Sequence, residues 1–291
     1  MESIGQVIDL MTLEELDVNL FRGKSYKTPW ERVFGGQVLG QSLHAAYKTV
    51  PQDRLAHSMH AYFILPGICD LPIIYEVDTI RDGGSFTTRR VVAKQRGKAI
   101  FNMSASFQLK QPGVEHQMDM PEVKPAEKTK SVEERLKAIK FFAPKIYKKL
   151  IGIDPNAFEF RPVTNPYSLP PRNHDPYLQV WFKSMAKADV DVPMQHQLLA
   201  CASDFGLLRT ASLPHQTKLM TKKVLFASID HAMWFHKPFK IDEWMLFETD
   251  SPSASNSRGF TRGSIYDQEG VLIASVVQEG LMRIKSKLTQ L

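Results

Sequence analysis

One carboxylate stands out in the 291-residue sequence. From Leu198 to Leu208 the chain reads Leu-Leu-Ala-Cys-Ala-Ser-Asp-Phe-Gly-Leu-Leu, and Asp204 is the only charge in that run. Apolar residues would cover every face of a helix built from it, so the segment is expected to be buried on all sides. A carboxylate taken out of water is strongly disfavoured unless hydrogen-bond donors meet it. Arg209, five positions on, lies on another helical face and offers no local cation. The position therefore suits one of two things: a structural aspartate pinning a neighbouring loop, or a carboxylate of perturbed pKa acting on a substrate or on water.

Gln278 is a second polar group in an apolar setting. It ends the run Leu272-Ile273-Ala274-Ser275-Val276-Val277-Gln278, whose two faces are both apolar or small. The strand period of two puts it on the face of Leu272 and Val276. A buried amide must use its donors and its acceptor somewhere, which fits a core hydrogen bond as well as a site. Ser228 lies in the strand-like run Val224–Phe235, on the face of Phe226 and Trp234, where a lone serine is most often structural. These three residues carry chemistry only if the fold brings them together.

Other signals fall away on inspection. Asp204-Phe205-Gly206 and Val91-Val92-Ala93-Lys94 imitate kinase motifs, but no HRD loop and no glycine-rich phosphate loop accompany them. GxSxG, GxxxxGK[ST] and GxGxxG are absent, which removes the usual marks of serine hydrolases and nucleotide binders. His231 and His236 fall on opposite faces of a strand and read as core or loop histidines. Neither they nor Cys69 and Cys201 form a ligand cluster, so no metal and no cofactor is expected. Asn102-Met103-Ser104 is a sequon in mid-strand and is discounted.

The elements that must position these residues repeat. A helix with little charge (35–50) is followed by four strand-like runs (57–65, 72–80, 86–95 and 99–109), separated by Pro66-Gly67, Asp82-Gly83-Gly84 and Arg96-Gly97. Residues 110–130 have linker composition, and Ser131-Val132-Glu133-Glu134 is a capping box opening a helix over 132–151. Two further strands are expected at 157–164 and 176–187. The pattern then recurs: an apolar helix at 194–212 and four strands at 223–235, 243–250, 257–267 and 271–284. Short matches recur in register, such as His60-Ala61-Tyr62-Phe63 with His231-Ala232-Met233-Trp234-Phe235, and Arg89 with Arg258. Two such units side by side would form one continuous antiparallel sheet around two central helices.

Composition sets the remaining bounds. Apolar residues at 43% and charged residues at 23% are those of an ordinary globular chain, long enough to build a core without staples. Two cysteines exclude a disulfide framework and point to a reducing compartment. No apolar run approaches a membrane span, and the N-terminus lacks the pattern of a signal peptide. The net charge of +6 would favour an anionic ligand, but no basic run with interleaved aromatics suggests nucleic acid.

Several longer motifs carry a resemblance. Arg22-Gly23, Arg32-Val33-Phe34-Gly35-Gly36-Gln37, His57-Ser58-Met59-His60-Ala61-Tyr62-Phe63 and Arg81-Asp82-Gly83-Gly84-Ser85-Phe86 resemble the N-terminal half of the type II acyl-CoA thioesterases, which include the bacterial TesB enzymes and the peroxisomal acyl-CoA thioesterases. Asp230-His231-Ala232-Met233-Trp234-Phe235-His236, Ser257-Arg258-Gly259 and Val277-Gln278-Glu279-Gly280 resemble the C-terminal half. The likeness runs from about residue 8 to about 284 and weakens over 110–190, where only Trp181 stands out.

The resemblance implies an α+β double hotdog fold, with an N-terminal hotdog at 1–110, a linker with a helix at 111–155, and a C-terminal hotdog at 156–291 carrying the catalytic residues. It implies hydrolysis of fatty acyl-CoA to free fatty acid and CoA by a water activated by Asp204, Ser228 and Gln278. Backbone N–H groups of Gly35 and Gly36, at the start of the first helix, are the expected oxyanion donors. The alternatives are a hotdog protein that binds acyl-CoA without turning it over, and an enoyl-CoA hydratase. The latter would need a histidine beside Asp204, and His196 is eight residues away. Exposed sheet edges favour a homo-oligomer. An intracellular soluble protein is expected, in the peroxisomal matrix of a eukaryote or otherwise in the cytoplasm. Ser286-Lys287-Leu288 spells the peroxisomal tripeptide, but three residues follow it, and the actual end, Thr289-Gln290-Leu291, is a weak variant.

Overall fold

A computed structural model describes residues 3–28, 31–142, 144, 147, 157–167, 170 and 172–284. Ahead of the first expected helix lie three short elements that were not anticipated: α1 (Ile4–Met11), β1 (Glu14–Asp17) and β2 (Leu20–Gly23). Ser3 caps α1 by accepting the Gln6 N–H, and Ile4, Val7, Leu10 and Met11 form its buried stripe. The first repeat follows the glycine and proline punctuation closely: α2 (Gly35–Tyr47), β3 (Arg54–Phe63), β4 (Ile73–Asp82), β5 (Phe86–Gln95) and β6 (Lys98–Leu109).

The connecting region keeps its extended, polar character but is tied down. The Trp181 indole donates to the Lys124 carbonyl at 2.9 Å, and Gln117 bonds the backbone of Gly270 and Leu272. The capping box forms as written: Ser131 Oγ accepts the Glu134 N–H at 3.1 Å, and Glu134 Oε2 accepts the Ser131 N–H at 2.7 Å. It opens α3 (Val132–Phe142); most of the remaining span expected to be helical, up to 151, lies outside the described residues.

The second half contains β7 (Phe158–Pro162), β8 (Tyr177–Ser184), α4 (Val192–Ser203), α5 (Leu207–Ser212), β9 (Val224–Ser228), β10 (Asp230–Phe235), β11 (Met245–Ser255), β12 (Arg258–Tyr266) and β13 (Leu272–Ile284). Among the described residues, 13 strands form a single sheet. Outward from its middle, the first half runs β3-β6-β5-β4-β2 and the second β10-β13-β12-β11-β8, so the two halves are topological copies joined where β3 pairs antiparallel with β10. α2 and α4 pack against each other inside the sheet. This is the double hotdog architecture. No helix among the described residues is long and apolar enough to cross a membrane.

Two expected elements are broken, and both breaks matter for the site. The helix expected over 194–212 stops at Ser203 and restarts at Leu207, because Gly206 takes a left-handed conformation at φ 89°. Asp204 is therefore the residue capping the C-terminus of α4, not a residue inside a helix. The strand expected over 223–235 is interrupted at Ile229. Ser228 pairs with Gly280 and Ala232 with Val277, so four steps on one strand span three on the other, which is a β-bulge. The extra residue reverses the alternation. Ser228 stays on the face of Phe226, but Trp234 turns to the outer face, where it meets His60 edge-on at 5.1 Å.

The internal repeat is unequal in its arginines. Arg258 is half-buried and pairs with Glu279, whereas Arg89 is buried at 2% exposure, bonding Asp82, Thr49 and the Arg81 and Thr88 carbonyls. Replacing Arg89 by Ala removes a buried guanidinium together with its whole set of hydrogen bonds and is expected to lower unfolding free energy by about 3 kcal/mol, read from urea midpoints. Arg258→Ala is expected to change it by less than about 1 kcal/mol.

Candidate active site

Three elements that meet only after folding supply the site. Asp204 projects from the end of α4, Ser228 ends β9 at the bulge, and Gln278 points inward from the middle of β13. Ser228 Oγ donates to Asp204 Oδ1 at 3.3 Å, and Gln278 Nε2 donates to Ser228 Oγ at 3.0 Å. The Gln278 NH2 group also lies close enough to the Asp204 carboxylate to lower its pKa. The acid, hydroxyl and amide singled out from burial patterns are thus hydrogen-bonded to one another.

The fourth contact crosses between the two halves. Phe34 stands at the N-cap of α2, and its side chain cannot cap the first N–H groups of the helix. The Gly36 N–H instead lies close enough to the Asp204 carboxylate to lower its pKa. A Cβ on Gly35 would lie 2.6 Å from Asp204 Oδ2, so glycine is what allows this approach. The positive end of the α2 dipole favours the carboxylate, while the C-terminus of α4, which Asp204 caps, disfavours it. Burial decides the balance. It pushes the Asp204 pKa up to about 6, against the bonds from Gln278, Ser228 and Gly36, which all lower it. Gly35 and Gly36, the expected oxyanion donors, both stand at the start of α2 beside this carboxylate, and Gly35 also lines a cavity. Burial also raises the pKa of the neighbouring Cys201 thiol, which stays neutral.

Two cavities meet at this cluster. One, of about 350 Å³, is walled mainly by Phe160, Leu178, Phe182, Phe205, Leu208 and Phe247 and reaches Asp204, Ser228 and Gln278. The other, of about 580 Å³, runs past Gly35, Phe63, Leu65 and Arg32 to Asp204 and Ser228. Phe34, lining the second, stacks on Phe205, lining the first, at 4.3 Å between ring centres. A long substrate could therefore lie across the carboxylate with one end in each cavity.

One residue of the cluster escaped the sequence reading. His231, taken there for a core or loop histidine, has no exposed surface and holds Gln278 Oε1 with Nδ1 at 2.6 Å. The bulge at Ile229 is what turns His231 and Ser228 to the same side, and no simple strand periodicity would show it. His196 does not approach the site. It stacks on Phe235 at 4.2 Å and bonds the Tyr47 hydroxyl, which removes the histidine a hydratase reading needs.

Comparison with known proteins agrees with this architecture. The model for the acyl-CoA thioesterase N-terminal domain matches residues 26–108, and that for acyl-CoA thioesterase matches 163–281. Acyl-coenzyme A thioesterase 8 of Mus musculus is 40% identical over 293 residues, covering 98% of this chain and 91% of that protein. The chain belongs to the acyl-CoA thioesterase family. Acyl-CoA thioesterase 2 of Haemophilus influenzae is 37% identical, with 96% of this chain and 98% of that one aligned. The crystal structure of an acyl-CoA thioesterase II from Mycobacterium marinum superposes with a TM-score of 0.80 at 37% identity, over 96% of this chain and 99% of that one. In this family member, Gly35 and Gly36 fall in the N-terminal match, and Asp204, Ser228 and Gln278 fall in the other.

Proposed function

We propose that the chain hydrolyses fatty acyl-CoA to fatty acid and CoA by direct attack of water, with Asp204 as general base. The observation that carries this is the convergence of Asp204, Ser228 and Gln278 where two cavities meet. The 350 Å³ cavity, apolar and lined by five phenylalanines, suits the acyl chain. The 580 Å³ cavity suits the pantetheine arm, with Arg32 on its wall facing the phosphates.

Asp204 takes a proton from a water held by Gln278 and Ser228, and the oxygen bonds to the thioester carbon. The Gly35 N–H, at the start of α2, stabilises the charge growing on the carbonyl oxygen. The carbon–sulfur bond then breaks, and the proton held by Asp204 is available to the departing thiolate. The relatives' names support the substrate class.

A thiol-release assay over a panel of saturated acyl-CoA lengths tests the reading. The wild-type chain should release CoA with turnover. Gln278→Ala should lose about 100-fold in kcat and Ser228→Ala about 10-fold. Tight acyl-CoA binding with no release above background would favour the non-catalytic binder instead. The family resemblance also supports a homo-oligomer and a peroxisomal matrix location in a eukaryote, or a cytoplasmic one otherwise. Light scattering of the purified chain, and imaging of a fusion that leaves Leu291 free, check these.

A further inference from the structure

We infer that His231 is a positioning residue, which locks the Gln278 side chain in the orientation that aims its NH2 group at Asp204 and Ser228. This rests on the reading of Gln278 as part of the water-activating cluster. The two ends of a glutamine amide are nearly equal in size, and sterics alone do not choose between them. In one orientation Gln278 donates to the carboxylate and to Ser228. In the other, a carbonyl oxygen faces the carboxylate, repels it and cannot support the base.

The contact on the far side makes the choice. Gln278 Oε1 lies 2.6 Å from His231 Nδ1, and a carbonyl oxygen can only accept, so Nδ1 must carry the proton. Burial holds the ring neutral, pushing its pKa down to about 4, so Nε2 carries none and must accept. Ser203 Oγ, 3.1 Å from Nε2, is there to donate; its alternative acceptor is the Ala200 carbonyl at 2.9 Å. The bonds then run in one direction: Ser203 to His231, His231 to Gln278, Gln278 to Ser228, Ser228 to Asp204. The chain begins one residue before the base it ends on, so it forms a closed ring of five side chains. His231, Ser203 and Gln278 are all at most 2% exposed, so water cannot replace any of these donors.

Three variants of the full chain test this, measured by CoA release against pH and by thermal unfolding. In His231→Asn, the side-chain NH2 occupies about the place of Nδ1 and still donates to Gln278. In His231→Gln, the amide extends towards Ser203 and that donor is lost. His231→Leu has no donor. We expect Asn to retain kcat within about 3-fold, and Gln and Leu to lose about 10- to 100-fold with little change in KM. The acid limb of kcat/KM should move to higher pH in the Gln and Leu variants, because Asp204 loses a bond that lowers its pKa. In a Gln278→Ala background, His231→Gln should have no further effect. If Leu fails to fold, the Asn and Gln pair, matched in polarity, still decides the matter.

Equal losses in Asn and Gln that track the melting temperature, with the acid limb unmoved, would overturn the inference and leave the site reading intact. Full activity in Gln278→Ala would overturn both.

Discussion

Asp204→Asn abolishes turnover while making the protein more stable at neutral pH. A general base contributes between about 100- and 10,000-fold, and among the described residues no other carboxylate lines either cavity, so kcat in a thiol-release assay should fall by about 1,000-fold. Asparagine keeps the size of the side chain and its oxygen can still accept from Ser228, although its NH2 group replaces an oxygen that accepts in the wild type, so the fold is kept and the stability gain is smaller than the full charge penalty. Substrate binding should be nearly unchanged, which makes this variant the one in which to trap acyl-CoA.

The stability gain follows from the same burial that tunes the base. The Asp204 pKa rises from 3.8 when unfolded to about 6 when folded, so between those values the folded state holds the extra proton. Stability therefore falls as pH rises through that window, and above pH 6 the buried charge costs at most about 3 kcal/mol. Asp204→Asn removes that penalty. Its melting temperature should exceed that of the wild type at pH 7.5, and the two should converge near pH 4. In the wild type, kcat/KM should rise about tenfold per pH unit below about 6 and level off above it. An acid limb well below pH 5 would show that the carboxylate is not desolvated as described.

Much of this was legible before folding, and the reason is burial. Asp204 and Gln278 sit in runs too apolar to tolerate them without partners, so composition alone marks them. The repeat of helix and strands marks the two halves. What stayed hidden depends on single residues that alter a period. Gly206 ends α4 and converts Asp204 from a residue within a helix to one that caps it. Ile229 adds a residue to a strand and reverses the alternation, which conceals His231 and misplaces Trp234. The Gly36 contact joins residues from opposite halves of the chain, and nothing local in either segment announces it. α1, β1 and β2 are short; β1 buries no residue, and those of α1 and β2 join the core only against the central helices.

Gly36→Ala is expected to be the most damaging single methyl group that can be added to this protein. A Cβ at Gly36 would overlap the Cys201 carbonyl oxygen and the Phe34 ring. Neither can give way cheaply. The carbonyl belongs to the backbone of α4, which is enclosed by the sheet, and the ring is stacked on Phe205. Gly40, one turn on, is held in the same way: a Cβ there would lie 2.9 Å from the Gln197 carbonyl oxygen and closer still to Met11 Sδ, so the two helices have no slack along this line. Overpacking a core costs about 1–3 kcal/mol when side chains can adjust, and here backbone must move, so a loss of at least about 3 kcal/mol should appear in urea unfolding. Separating the helices also withdraws the Gly36 N–H from Asp204. CoA release should drop more than tenfold even at temperatures where circular dichroism shows the variant folded, with its acid limb displaced to higher pH. Gly5→Ala is the control: it lies exposed within α1 with only Ser3 Oγ near, at 3.8 Å, and gains helix propensity at no steric cost. Equal stability and activity in the two variants would mean that the helices are not held at this distance, and that the carboxylate has no N-terminal helix cap.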